Sequence, residues 1–208
     1  YMLAVLDDDT LKHPALECVI TTDEEIGLLG AKALDTSVLK GTHMINMDSE
    51  EEGYLWISCA GGLSGTSRIP VEYQEMEGVV TEVLIDGLNG GHSGAEIDKN
   101  RANANKLMGL FLYELGQKTA YSIKDLSGGT KDNAITRECE MSLIYADSAE
   151  AQKAEKLACD LAEVFADEIT SFEPDFSCEI AVTEGQSAMA VQEEDAKAFV
   201  SLMRLAPN

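Results

Sequence analysis

Two clusters of carboxylates each follow a short apolar run in the first quarter of the chain. Residues 16–22 lead into the acids at 23–25, and residues 43–47 lead into Asp48 and further acids. Carboxylates that crowd together repel one another unless a cation neutralises them, and a divalent metal ion does so directly. The residue types therefore predict a metal site with acidic ligands.

The elements that must position these acids follow from the pattern around them. Both apolar runs have the length of strands, and a helix-like stretch at 27–34 lies between them. In a strand–helix–strand unit the strands are parallel and their carboxyl ends lie at one edge of the sheet, where open α/β sheets bind ligands. We therefore predict strands at 16–22, 43–47 and 54–60, with the two acidic clusters at a common edge.

The acidic clusters are compatible with more than one role. Acids at 23–25 also favour the N-terminus of the following helix through its dipole. His13 precedes the first strand, and His43 points away from Asp48 because side chains alternate along a strand, so neither is a good ligand. A site of carboxylates alone indicates either a hard ion such as magnesium or calcium, or zinc ligands that lie elsewhere.

Two glycine-rich loops in the second half could also carry chemistry. Residues 90–94 read GGHSG, and residues 128–133 read GGTKDN. Glycines let the backbone approach a ligand closely, and His92 has small neighbours where a core histidine would have bulky ones. We interpret His92 as a functional side chain, whereas the second loop is equally compatible with a plain hairpin turn.

The regular part of the chain surrounds these loops. Alternation and helical spacing predict the order β-α-β-β-α-β, the ferredoxin-like or split βαβ arrangement. The predicted strands are 79–88, 120–126, 138–145 and 176–182, and the helices are 101–115 and 149–169, followed by a tail helix at 191–205. The fold class is α+β, with a slice of a parallel-sheet α/β domain at 1–69, the ferredoxin-like domain at 70–186 and a helix at 187–208 that returns toward the first domain.

Composition excludes several classes of partner. The net charge is −23 at pH 7, so nucleic acid and anionic membranes are poor partners. The five cysteines include no Cys-x-x-Cys pair, which favours reduced thiols in a cytoplasmic protein. The abrupt first and last residues indicate a fragment from the middle of a longer protein.

The acidic motifs resemble those of the di-zinc peptidases that include aminoacylases and carboxypeptidase-type enzymes. TDEEIGLLGA at 22–31 resembles their Glu-Glu motif, and NMDSEEEG at 46–53 followed by CAGG at 59–62 resembles the aminoacyl-histidine (Xaa-His) dipeptidases. GGHSGAEI at 90–97, continuing into RANANKL at 101–107, is similar to the lid of the same family. The resemblance covers nearly the whole chain with the motifs in the family's order.

The resemblance implies metal-dependent hydrolysis of a small peptide substrate with two zinc ions. Glu24 would be the general base that takes a proton from the metal-bound water, while Glu25 would ligate one zinc ion and Asp48 the other. His92 would stabilise the oxyanion of the tetrahedral intermediate from the lid, and Asn133 would contact substrate there as well.

The chain departs from the family's pattern in two ways. Thr136 stands where the family has proline after Asn-Ala-Ile. The family also needs a histidine and a bridging aspartate before residue 1 and a histidine after residue 208, so we predict that this chain alone is inactive and binds zinc weakly.

Two other functions compete with a peptidase part. The lid could be a non-catalytic binding or dimerisation module that forms a homodimer. A magnesium-dependent phosphotransfer domain is disfavoured because no glycine loop followed by lysine is present to cradle a phosphate.

Overall fold

The computed structural model describes residues 1–48, 51–59, 61 and 63–207 of the chain. These residues divide into two compact units, Tyr1–Gly61 and Gly62–Asn208. Parts of the motifs NMDSEEEG and CAGG, namely Ser49, Glu50, Ala60 and Gly62, lie outside the described residues.

The first unit contains two short helices and no strand among its described residues. Helix α1 is Met2–Asp7, α2 is Leu29–Ala33, and a 3-10 turn covers Thr36–Val38. The strands predicted at 16–22, 43–47 and 54–60, and with them the slice of parallel sheet, are therefore wrong for the described residues, which are irregular there.

The reason is that these segments have no strand beside them. A strand forms only when its N–H and C=O groups pair with a neighbour, whatever its side-chain pattern predicts. Met44 is 91% exposed, Ile45 82% and Ile57 92%, so successive side chains on both sides of the backbone meet solvent. The apolar pattern reports a tendency to be buried, but no described residue of this unit supplies the cover.

The second unit is built on a four-stranded antiparallel sheet. Its spatial order is β3-β5-β1-β6. A second pair, β2 with β4, is separate from this sheet. The strands are β1 Tyr73–Asp86, β2 Gly91–His92, β3 Ser122–Gly128, β4 Ala134–Ile135, β5 Cys139–Tyr145 and β6 Ser177–Val191.

Two helices cover one face of the sheet and form the core with it. Helix α3 is Ala104–Gly116 and α4 is Ser148–Ile169. Asn103 and Asp147 cap their N-termini by accepting backbone N–H groups, which offsets the unpaired donors of the first turn. The core contains side chains from the strands and both helices, among them Val83, Ile85, Met108, Phe111, Leu112, Leu143 and Phe165.

A fifth helix closes the unit. Helix α5, Glu193–Leu205, packs on α3, and a Cβ at Gly109 would lie 2.8 Å from Cβ of Met203, so only glycine allows this approach. The Lys106 ammonium donates to the carbonyls of Met203 at 3.1 Å and Arg204 at 2.9 Å, which satisfies the C-terminal end of α5.

Across the ranges that the structure describes, no helix combines the length and the apolar character needed to cross a bilayer.

Candidate functional site

The two glycine-rich loops of the second unit lie side by side. Strand β2, which ends at His92, pairs antiparallel with β4, so that His92 is opposite Ala134. The N–H of Ser93 donates to the carbonyl of Asn133 at 2.9 Å. The structure therefore brings His92 and Asn133, both exposed, to the same edge of the unit.

The loop fixes the protonation pattern of the His92 ring. Nδ1 lies 3.0 Å from the N–H of Gly94 and 3.1 Å from the N–H of Ala95. Because a backbone N–H only donates, Nδ1 must be the unprotonated acceptor, and the neutral ring carries its proton on Nε2. An exposed imidazole in this tautomer presents a hydrogen-bond donor.

Two glycines before His92 are required by sterics. Gly90 has φ of +63° and Gly91 has φ of +146°, a region that residues with a Cβ rarely adopt. A Cβ at Gly90 would overlap the Arg137 side chain, and one at Gly91 would overlap Arg101 and Glu96. The close packing of side chains around the backbone holds β2 in its position.

Glu96 connects the His92 backbone to two cations. Its Oε2 accepts the N–H of His92 at 2.9 Å, and its Oε1 lies 2.7 Å from Nζ of Lys99 and 3.0 Å from Nη2 of Arg101. Arg101 also donates to the carbonyl of Gly90. The hydrogen bond from Lys99, then that from His92, and the charge of Arg101 lower the pKa of Glu96 from 4.5 to about 2.

This shift predicts how the loop responds to acid. Since the pKa is lowered in the folded state, ionised Glu96 stabilises the loop fully above pH 4.5, and this contribution is lost as the pH falls toward 2. We expect the backbone amide signal of His92 to titrate with a midpoint near 2 in an NMR series, and Glu96→Gln to abolish that step. A midpoint near 4.5 would contradict the arrangement.

A polar recess of about 670 Å³ lies beside the two loops. Ser93, Asn105, Lys131 and Thr136 are among the residues that line it. Thr136, at the family's proline position, is buried; its hydroxyl accepts from Asn105 at 3.4 Å and its carbonyl accepts the N–H of Ala104 at 2.9 Å. The departure from proline therefore supplies a polar contact and preserves the link to α3.

The predicted acidic residues lie in the first unit. Glu24 and Glu25 are exposed in the turn before α2, where the Glu24 carbonyl accepts the N–H of Leu28 at 2.9 Å. Asp48 is exposed as well, and its N–H donates to the side chain of Asn46 at 3.2 Å.

Zinc fits these residues poorly as they stand. A catalytic zinc ion takes three protein ligands. Within the part of the chain that the structure describes, no three histidine, cysteine, aspartate or glutamate side chains are grouped to hold a metal ion. Glu24, Glu25 and Asp48 thus do not form a complete metal centre, and their geometry supports no reaction step through zinc.

Sequence reasoning missed the partners that position His92. Glu96 and Arg101 belong to the motifs assigned to the lid and Lys99 lies between those motifs, but their contacts with the His92 loop were not predicted. An acid followed by bases three and five positions later is a signal of local pairing, although it does not reveal that the acid also accepts a backbone N–H.

Both loops lie in a stretch of the chain that is similar to a known domain family. Residues 85–173 match the M20 peptidase dimerisation domain. The cytosol non-specific dipeptidase of Escherichia coli (strain K12) is 34% identical over 210 residues, which cover 99% of this chain and 42% of that protein.

A solved structure agrees over the same extent. The aminoacylhistidine dipeptidase from Vibrio alginolyticus matches with a TM-score of 0.70 and 28% identity, covering 100% of this chain and 42% of that chain. The resemblance to aminoacyl-histidine dipeptidases is confirmed. An uncharacterised Bacillus subtilis (strain 168) protein, YqjE, matches a shorter stretch, with 40% identity over 48 residues, 23% of this chain and 13% of that protein.

The likeness to these dipeptidases concerns only part of their length. The chain spans 42% of both the E. coli dipeptidase and the V. alginolyticus aminoacylhistidine dipeptidase. We use the term complete protein for a protein that contains this chain together with segments equivalent to the rest of those relatives.

Proposed function

We propose that the complete protein hydrolyses dipeptides of the Xaa-His type in a metal-dependent reaction. The observation that carries this proposal is the 34% identity to a protein named as a dipeptidase across 99% of the chain. The motifs that resemble the family's catalytic and lid sequences are spread over that same stretch, so the likeness includes the positions where chemistry would occur.

The second unit is the lid in this proposal. Its element order and its sheet order β3-β5-β1-β6, with every neighbouring pair antiparallel, support a ferredoxin-like fold at residues 70–186. The small β2–β4 pair is an addition that carries His92. The tail at 187–208 contains the end of β6 and helix α5, which packs on α3 within the second unit.

Residues 1–69 are a portion of the catalytic domain in the same proposal. The exposed apolar side chains of 43–47 and 54–57 support this, since a surface of this kind is normally covered by further protein. In the complete protein this cover would order the turn of Glu24 and Glu25 and the segment of Asp48. Glu25 and Asp48 would then be two of the zinc ligands, and the remaining ligands would lie outside residues 1–208.

The chain's own residues define how it would act on substrate. Glu24 accepts the proton of the attacking water and passes it to the leaving amine, which is general acid–base catalysis. His92 donates its Nε2–H to the oxygen on which negative charge develops, and its fixed tautomer means that no proton rearrangement is needed first. Asn133 contributes a polar contact to the substrate from the adjoining loop.

A second candidate function is a non-catalytic dimerisation module. The match of 85–173 to a dimerisation domain favours it, and β3 and β6 end the sheet with edges that a second copy could extend. A homodimer formed through the lid is compatible with either function, and this is the proposed protein partner.

The proposed location is the cytoplasm. The name of the E. coli relative as a cytosol dipeptidase supports it. The net charge of −23 supports the absence of nucleic-acid and membrane partners.

The function is tested with the complete protein and a set of dipeptides. We expect Xaa-His dipeptides to be hydrolysed, with activity lost on chelation and restored by zinc, while the 208-residue chain alone shows none. A complete protein without peptidase activity on any dipeptide, but dimeric through the lid, would favour the second candidate.

A further inference from the structure

Glu173 is a carboxylate in the interior of the second unit. It follows α4 in the turn that leads to β6, and its exposure is 0%. Its two oxygens accept different backbone groups: Oε2 takes the N–H of Asn89 at 2.7 Å, and Oε1 takes the N–H of Ala102 at 2.8 Å. Among the described residues, none of the ion pairs includes Glu173.

The two N–H groups lie on opposite sides of His92 in the sequence. Asn89 directly precedes the two glycines that lead to His92, and Ala102 directly precedes the cap of α3. One carboxylate therefore holds both ends of the segment 89–102. A third bond strengthens this junction, because the Asn89 side chain donates to the carbonyl of Phe172 at 2.8 Å.

The junction leaves little freedom for the segment. A Cβ at Gly87, which has φ of +78°, would overlap the carbonyl of Asp175, so the end of β1 packs directly on the turn after α4. Within the segment, Glu96 and Arg101 bind the backbone of His92 and Gly90. The ring of His92 is thus positioned by an inner set of contacts, which is itself held at both ends by Glu173.

Burying a carboxylate between two loops carries a free-energy cost. Removing a charge from water is costly unless strong hydrogen bonds compensate, and two charge-assisted bonds to N–H groups do so here. A carboxylate accepts at both oxygens at once, whereas an amide side chain offers one acceptor and a donor that would face an N–H. The two hydrogen bonds at position 173 therefore favour glutamate over glutamine.

We propose that Glu173 is a positioning residue for His92: it fixes both ends of segment 89–102 and so places the imidazole for catalysis. This inference rests on the proposed function, in which His92 contacts the reacting substrate. Glu173 does not contact substrate itself. Its effect on turnover must therefore pass through His92.

The test is a double-mutant cycle in the complete protein, with Glu173→Gln, His92→Ala and the two combined. Small misplacements of catalytic groups cost up to about 100-fold, so we expect Glu173→Gln to lower kcat by about 10- to 100-fold with little change in KM. In the His92→Ala background we expect no further loss from Glu173→Gln, because residues that act through one another are not additive. Glu168→Gln, which changes an exposed acid near the end of the preceding helix α4, is the matched control and should leave kcat unchanged.

The outcomes separate this inference from the proposed function. If His92→Ala leaves kcat unchanged, the catalytic role of His92 fails and the inference fails with it. If His92→Ala lowers kcat while Glu173→Gln does not, or if Glu173→Gln causes an equal loss in both backgrounds, only the role of Glu173 is overturned.

A milder variant covers the case in which Glu173→Gln does not fold. Asn89→Ala removes the bond to Phe172 and keeps the N–H to Glu173, so we expect a smaller loss of kcat that also vanishes in the His92→Ala background. The ¹⁵N NMR signals of the His92 ring give a readout apart from activity. We expect Nδ1 to be unprotonated in the wild type and the two tautomers to mix in Asn89→Ala. A loss of kcat in Asn89→Ala that persists when His92→Ala is also present would refute the proposal.

Discussion

Replacing His92 by alanine is expected to lower kcat of the complete protein by about 10²- to 10³-fold, the usual effect of removing one donor to a developing oxyanion. The structure gives the reason: Nδ1 is engaged by the N–H groups of Gly94 and Ala95, so Nε2 is the donor that remains for a substrate. Steady-state kinetics on an Xaa-His dipeptide measure the effect. KM should change much less than kcat, because the interaction is made mainly in the transition state.

The control for this variant is His13→Ala. His13 is also exposed and lies outside the apolar segments proposed to be covered, so its replacement should leave kcat within about twofold of the wild type, as surface substitutions generally do. Unchanged kinetics in His92→Ala would mean that the lid has a structural role, and the dimerisation module would become the better account of this chain.

Replacing Glu24 by glutamine is the second variant with a large expected effect. General acid–base catalysis contributes about 10²- to 10⁴-fold, so we expect kcat of the complete protein to fall by that range. Glutamine keeps the size of the side chain and cannot accept the proton. The exposed position of Glu24 in its turn indicates that folding of this chain does not depend on its charge.

The neighbouring Glu25→Gln variant is the matched comparison. Glu24→Gln should retain the metal content of the wild type and lose turnover, whereas Glu25→Gln should lose both, because Glu25 is a proposed ligand and Glu24 is not. Metal analysis of the purified variants distinguishes the two. Equal metal loss in both variants would show that the roles of the two acids are not separate.

The sequence predicted the second unit well because its elements carry their own patterns. The helix expected at 149–169 is observed at Ser148–Ile169, and the strand expected at 138–145 at Cys139–Tyr145. Local capping and one buried stripe define such elements without knowledge of the rest.

Strands whose extent depends on pairing with a neighbouring strand could not be predicted in this way. Strands β1 and β6 extend to Tyr73 and Val191, where they pair mainly with each other and lack the alternation of half-buried strands. The segments at 16–22, 43–47 and 54–60 show the opposite error, with strand-like patterns but no strand among their described residues. A pattern reports what a side chain prefers to contact, and pairing also requires a neighbouring strand.

The sequence predicted His92 and Asn133 as residues of the candidate site, but it did not predict the contacts that position them. The contact between the His92 and Asn133 loops, through β2 and β4, was not foreseen because strands of two residues have no period. Glu173 gave no signal at all, since an acid beside a proline in a turn is usually solvated, and burial of its carboxylate is decided by two distant N–H groups.

In the proposed function, this chain supplies part of a zinc site which other segments complete. Zinc analysis after dialysis, run on the complete protein beside the 208-residue chain and paired with an Xaa-His peptidase assay, tests it most directly. We predict that the complete protein retains a pair of zinc ions and hydrolyses the dipeptide, and that the chain alone retains no stoichiometric zinc and hydrolyses none. Stoichiometric zinc and robust turnover in the chain alone, or an active complete protein whose metal is unaffected by loss of Glu25 and Asp48, would contradict the claim.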